Sequence, residues 1–260
     1  TLSLHDALPN YSHGFLIPLL AIWMAFDQRR LLRLDDARGA GWGAAAVAGG
    51  VVLATLAHWY VEALRPVRLI AEFVWALGVL AGLVGACLAL GGARLLRRLA
   101  FPLGFLVFAV PLPTPLTESV TVPLRSWVSF ASARALHGLG VDVVREGNLL
   151  HLPNVTLGVE DACSGIRSLW AMMATAGVLV YVTRCGVLRA AGLGAAAVAA
   201  ALLSNLLRAV VTALLVVGFG AQYVEGWRHE VCGLAVFAVG VAALVCAALA
   251  LAPRRRTRSD

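Results

Sequence analysis

Val159-Glu160-Asp161-Ala162-Cys163-Ser164-Gly165-Ile166-Arg167-Ser168-Leu169-Trp170 closes a polar segment and opens an apolar run that continues to Thr183. A change from acidic pair to membrane-length apolar run is the signature of a chain entering a bilayer, which takes about 20 apolar residues to cross as a helix. The boundary also carries a thiol, two small residues and a cation. A cysteine placed there meets water on one side and lipid on the other. Arg167 and the N-terminal dipole of the following helix favour its thiolate, whereas Glu160 and Asp161 oppose it unless another cation answers them. A single cysteine is more often a small buried hydrophobe than a nucleophile, so any chemistry at Cys163 needs partners from elsewhere in the chain.

The rest of the sequence repeats the apolar theme. Of 260 residues, 60% are hydrophobic and 13% charged, and the mean hydropathy is +0.85. This is the composition of an all-α polytopic membrane protein, not of a soluble domain. The net charge of +7 comes from arginine alone, in short clusters between apolar runs. That is topological information and not a footprint for nucleic acid. The five cysteines, Cys87, Cys163, Cys185, Cys232 and Cys246, show no CxxC spacing, which argues against a disulfide framework or a zinc ribbon. Cys87 and Cys246 lie deep in apolar runs and read as packing. His229 and Cys232 at i, i+3 are half of a metal pair without a second half, so no metal or other cofactor is expected. Asn154-Val155-Thr156 matches a glycosylation sequon of a kind common by chance.

About seven spans follow in order. Residues 1–10 match nothing around them and are expected to be a non-native or truncated start, with an eighth span upstream in the full-length protein. From Tyr11-Ser12-His13-Gly14 a first apolar run reaches Phe26 and ends at Arg29, Arg30, Arg33 and Arg38. A second runs from about Gly39 to Val61, with His58-Trp59-Tyr60 as an interfacial anchor. The third extends from about Val67 to Gly92 and meets Arg94, Arg97 and Arg98; the fourth starts near Leu99 and breaks at Pro111-Leu112-Pro113-Thr114-Pro115. Residues 116–162 are only partly apolar, with an amphipathic helix over Thr121–Leu139 and a β-hairpin in Val141–Val159 turning at Gly147-Asn148. Spans at about Ile166–Thr183, Ala190–Gly220 and Val231–Ala252 complete a single transmembrane domain, 11–252, before a basic tail, 253–260. Gly and Ala in Gly43–Gly50, Gly78–Gly92 and Ala190–Ala201 suit close helix packing.

Threaded alternately, these spans place Arg29–Arg38, Arg94–Arg98, Arg184–Arg189 and Arg254–Arg258 on one side, the cytoplasm by the positive-inside rule. Residues 116–162, Cys163 and His229 then face the other. Arg208 lies nineteen residues past Arg189, a climb of about 28 Å at 1.5 Å per residue, nearly the full hydrocarbon thickness. Cys163, Arg208 and His229 thus come from separate stretches to one depth. Snorkelling explains many membrane arginines, yet an intramembrane charge is costly, and Asn205 adds a second polar group one turn earlier. A thiol, an imidazole and a guanidinium together suit acyl transfer: the thiolate attacks a carbonyl, the imidazole moves protons, and the cation stabilises thiolate or oxyanion.

Several motifs extend this reading. Phe101-Pro102-Leu103-Gly104-Phe105-Leu106 with Pro111-Leu112-Pro113, Val122-Pro123-Leu124, Gly147-Asn148, Asp161-Ala162-Cys163-Ser164-Gly165-Ile166-Arg167-Ser168, Ser204-Asn205-Leu206-Leu207-Arg208, His229 with Gly233, and Tyr11-Ser12-His13-Gly14 occur in that set along Tyr11 to about Phe237. Together they resemble the exosortase/archaeosortase family; the Cys-Ser-Gly-Ile-Arg-Ser segment is the specific part. The resemblance implies a transpeptidase-like cysteine protease of the cell inner membrane, with its active site on the extracytoplasmic face. Its partners would be exported proteins ending in a Pro-Glu-Pro-like motif, a transmembrane helix and a basic tail, with a lipid or polysaccharide acceptor. The catalytic residues it implies are Cys163, Arg208 and His229, with Asp161, Ser164, Gly165, Arg167, Ser168 and Asn205 in support. The family view makes the arginine the proton donor and the third residue the transition-state stabiliser. Arginine stays charged in proteins, so His229 is the easier proton carrier on chemical grounds, and both assignments stand open at this point. The competing class is a non-catalytic membrane component of exopolysaccharide assembly or transport, which would not require Cys163, Arg208 and His229 to meet.

Overall fold

A computed structural model describes residues 15–28, 41–63, 68–153, 155–158, 165–220, 222 and 226–251. The helices are α1 (Leu16–Asp27), α2 (Gly41–Ala63), α3 (Arg68–Phe105, extended by a 3₁₀ turn at Leu106–Ala109), α4 (Thr114–Gly138), α5 (Gly165–Thr183), α6 (Val187–Phe219) and α7 (Gly226–Leu251). Three short strands, β1 (Val144–Glu146), β2 (Leu149–Leu152) and β3 (Val155–Gly158), separate α4 from α5. Among the described residues, five helical stretches are long and apolar enough to cross a bilayer: Gly41–Tyr60, Ile70–Ala109, Ile166–Thr183, Val187–Phe219 and Trp227–Leu251. Leu16–Asp27 is apolar but shorter. The basic tail, the residues before Phe15 and the sequon asparagine lie outside the described residues.

The chain divides into two compact units, Thr1–Thr117 and Glu118–Asp260. In the first, the third and fourth expected spans are one element. No loop intervenes; Gly92 alone, at φ 62° and ψ −160°, breaks α3 into two arms. A residue with a Cβ resists that backbone, so glycine turns the chain in a single residue where the sequence suggested a longer connection. Pro102 sits inside the second arm, and Pro111 and Pro113 follow its 3₁₀ end, where a missing N–H and a fixed φ stop a helix. Helix α2 lies against α3 with backbone nearly touching backbone. A Cβ on Gly50 would stand 2.7 Å from the Gly78 carbonyl oxygen, and one on Gly85 2.6 Å from the Val47 nitrogen. The expected close packing through Gly43–Gly50 and Gly78–Gly92 is therefore met at these atoms.

In the second unit the expected hairpin is present and gains a third strand. Antiparallel β1 and β2 pair Glu146 with Leu149, which leaves Gly147-Asn148 as a two-residue turn; β2 then pairs with β3, Leu150 opposite Leu157. Gly147 has φ 59° while Asn148 does not have positive φ, the pattern of a type II′ turn that matches strand twist. The alternation of β2 buries Leu150 and Leu152 and turns Leu149 and His151 away. Leu150, Leu152 and Leu157 pack with Val128, Ala133 and Leu136 of α4 and Ala209 and Ala213 of α6. Arg145 fastens the sheet to α4: its Nε donates to Ser129 Oγ at 3.2 Å and to the Gly147 carbonyl at 2.9 Å, and Nη2 donates to Ser126 Oγ at 3.2 Å.

A second core joins α5, α6 and α7 through Met172, Ala176, Leu193, Ala197, Ala201, Leu244 and Ala248. Alanines dominate the α6 contribution, as Ala190–Ala201 suggested, because small side chains let membrane helices approach. The α5–α6 connection is tight. Arg184 takes φ 48°, Gly186 caps α6 in extended conformation, and only three residues separate the helices. Such a turn makes α5 and α6 antiparallel neighbours. It thereby returns the chain past its own entry point, bringing the first turn of α5 to the middle of α6.

Candidate active site

Ser204 and Asn205 lie four and three residues before Arg208 on α6, and Thr212 lies four after it, so all face the side that carries Arg208. That face turns inward: Ser204, Asn205 and Thr212 are buried. Asn205 Oδ1 accepts a hydrogen bond from Ser168 Oγ of α5 at 3.0 Å, joining residues 37 apart in sequence. One turn further along α6, Arg208 Nη2 meets His229 Nε2 of α7 at 2.8 Å. Arg167, beside Ser168 in the first turn of α5, is within electrostatic reach of Arg208. Three helices therefore deliver a hydroxyl, an amide, two guanidiniums and an imidazole to one locus.

The Arg208–His229 contact fixes proton positions. A guanidinium has donors and no acceptor, so Nη2 donates and Nε2 of His229 must offer its lone pair. The imidazole in this arrangement is neutral, and its single proton sits on Nδ1. Both His229 Nδ1 and Arg208 Nε are buried and make no hydrogen bond among the described residues. Buried polar atoms are rarely left that way, because an unmade bond costs about 1–3 kcal/mol. Two donors at the locus thus keep unused hydrogen-bonding capacity.

Gly233 shapes the same spot. It lies four residues after His229 on α7, on the same face, and it is buried. A Cβ there would stand 2.7 Å from Arg208 Cζ and 3.0 Å from its Nε and Nη2. The guanidinium thus rests on bare backbone. From sequence this glycine has only a motif position, and its four-residue offset from His229 is the available signal.

Of the residues singled out from sequence, Arg167, Ser168, Asn205, Arg208 and His229 gather here, and Gly165 opens α5. Asp161, Cys163 and Ser164 lie outside the described residues. Arg208 is not at the end of its helix: α6 runs eleven residues beyond it to Phe219. The remaining cysteines are free thiols; Cys87, Cys185 and Cys232 are half-buried and Cys246, expected to be packed, is exposed on α7.

Apolar helices of crossing length, with an inward-facing polar cluster where α5, α6 and α7 meet, define a multi-pass membrane protein with a candidate catalytic centre. The transmembrane exosortase family matches residues 6–246, and the chain belongs to that family. It is accordingly a membrane-embedded protein of the sorting class. Comparison with curated proteins and with solved structures gave no match.

Proposed function

We propose that the chain is a cysteine peptidase and transpeptidase that removes the C-terminal sorting signal of exported proteins. Cys163 is the nucleophile. Its sulfur bonds to the carbonyl carbon at the cleavage point, the C–N bond breaks, and the thiol proton ends on the departing amine. The substrate's upstream part is left as a thioester. Water, an amine or a hydroxyl of a lipid or polysaccharide acceptor then attacks that thioester and returns the thiol.

The observation that carries this reading is the pair of contacts Ser168–Asn205 and Arg208–His229 on adjacent turns of α6. Cys163 precedes Gly165, the first residue of α5, by two positions, so the segment bearing the thiol enters the helix whose first turn is bonded at this locus. Arg208 and Arg167 supply fixed positive charge for a thiolate or a developing oxyanion. His229, accepting from Arg208, is set up to donate from Nδ1. That favours hydrogen bonding to the oxyanion over proton carriage, since giving up its only proton would leave an imidazolate. Asp161 and Ser164 belong with the nucleophile segment.

The family's substrates carry a Pro-Glu-Pro-like motif, an apolar helix and a basic tail, and this chain is assigned the same class. It sits in the inner membrane with about seven spans over 11–252. Residues 116–162 and the site face the extracytoplasmic side. Reporter fusions at Asn148 and at the C-terminus test that placement and should report opposite compartments; a shared compartment would break it. Co-expression with a secreted reporter bearing the three-part signal tests the activity: the wild-type chain should remove the reporter's C-terminal helix, and an unprocessed reporter would count against the reading.

A further inference from the structure

The α6–α7 contact holds a second layer of design around the Arg208–His229 pair. Arginine side chains in a helix bundle have several rotamers, and a hydrogen bond to one imidazole nitrogen does not by itself fix the plane of the guanidinium. Something must hold the flat face. Gly233 offers such a surface: its missing side chain leaves a notch where the Cζ, Nε and Nη2 of Arg208 lie. His229 and Gly233 share one face of α7, one helical turn apart, so the residue that receives the hydrogen bond and the residue that seats the plane are held in register by the helix itself.

We infer that Gly233 is a positioning residue for the reaction, acting through Arg208: its bare backbone is the seat that aims the guanidinium. The inference rests on the proposed catalytic role of Arg208 and His229. A methyl at this position must push the guanidinium from 2.7 Å to the 3.4 Å of ordinary contact, a retreat of about 0.7 Å. The displaced atoms are the far end of a flexible side chain, so the fold yields locally while the aim is lost. Misplacement of a catalytic group by about 1 Å can cost on the order of 10²-fold in rate.

Gly240, seven residues on along the same helix, provides the internal control. It too is buried, but a Cβ there would meet Ser204 Oγ and Met172 Cε in place of the guanidinium. Gly240→Ala perturbs the seam without touching Arg208.

The test uses the full chain in membranes, with the secreted reporter carrying the three-part signal as substrate. Gly233→Ala should lower kcat by on the order of 10²-fold, with KM changed by less than about threefold, because the loss lies in the transition state. Arg208→Lys should lose a similar factor, and the double variant should be no slower than Arg208→Lys alone, because a lysine has no planar Cζ for the methyl to strike. Gly240→Ala should combine additively with Arg208→Lys. Should Gly233→Ala lower Tm, adding Arg208→Ala should restore it, since the atoms the methyl meets are then gone. Wild-type kcat in Gly233→Ala, additive losses in the double variant, or a lowered Tm that Arg208→Ala does not restore would each overturn the inference. Retained processing in Arg208→Ala and His229→Ala would instead overturn the catalytic reading itself, which separates the two failures.

Discussion

Glycine is used in two ways at the helix crossings of this protein. Between α2 and α3, the atoms that crowd Gly50, Gly78 and Gly85 belong mainly to the opposing backbone. Where α7 meets α6 and α5, the atoms that crowd Gly233 and Gly240 belong to side chains: the Arg208 guanidinium and Ser204 hydroxyl of α6 and the Met172 methyl of α5. The first seam brings helix axes together. The second keeps α7 near α6 while leaving room for polar groups that a tighter crossing would expel. Backbone cannot step aside for a new methyl and an arginine tip can, so equal substitutions should damage the fold at one seam and the chemistry at the other.

The largest effect should fall on the proposed nucleophile. Cys163→Ala should abolish removal of the sorting signal, and Cys163→Ser should nearly do so, because a serine hydroxyl does not ionise as a thiol does near neutral pH. Immunoblots of the reporter, with matched membrane levels of each variant, read this out; processing by Cys163→Ala would detach the seam from catalysis.

Next come the polar groups at the α6–α7 seam. Arg208→Lys should lose most activity while still inserting, since an ammonium does not reproduce the planar fork that reaches Nε2 of His229. His229→Ala should slow acylation on the order of 10²-fold, through loss of the Nδ1 donor. Wild-type single-turnover rates in either variant would reduce that side chain to structural packing.

A smaller effect on turnover is expected at the first seam. Gly50→Ala should cost about 1–3 kcal/mol of stability through overpacking, seen as a lower Tm or reduced yield, with kcat per folded molecule unchanged. A variant of full stability would show that the α2–α3 approach is slack. Smallest of all, alanine at Cys87, Cys185, Cys232 or Cys246 should change processing less than about twofold, since none of these thiols makes a contact the proposed chemistry uses. A severe loss at Cys232, three residues from His229, would move the reactive thiol to α7.

What the sequence revealed follows from how local each feature is. Arg208 and Asn205 stood out because charge and amide inside an apolar run are costly wherever the helix goes. Their depth could be counted from the 1.5 Å rise. The Gly147-Asn148 turn announced itself through the backbone it requires. Other features depend on where helices cross. That Ser168 bonds Asn205 follows from the three-residue α5–α6 turn and the lengths of both helices. That Gly233 seats a guanidinium follows from the α6–α7 crossing, which no spacing rule supplies. Gly92 marks the edge of an apolar run in the sequence, yet its positive φ turns the chain within one residue, so two expected elements join as the arms of one broken helix. The third strand escaped because Val155–Gly158 has too few residues to show an alternation of its own.

The central claim is that Cys163 forms a covalent thioester with the substrate. It is tested most directly by trapping the enzyme with the reporter and measuring the intact mass of the enzyme before and after hydroxylamine, which cleaves thioesters. The account predicts an adduct of the reporter's upstream part on the wild-type chain, on the peptide containing Cys163, lost with hydroxylamine and absent from Cys163→Ala. It also predicts slower adduct formation in His229→Ala. A signal-processed reporter with no adduct on Cys163, or an adduct that persists in Cys163→Ala, would contradict it.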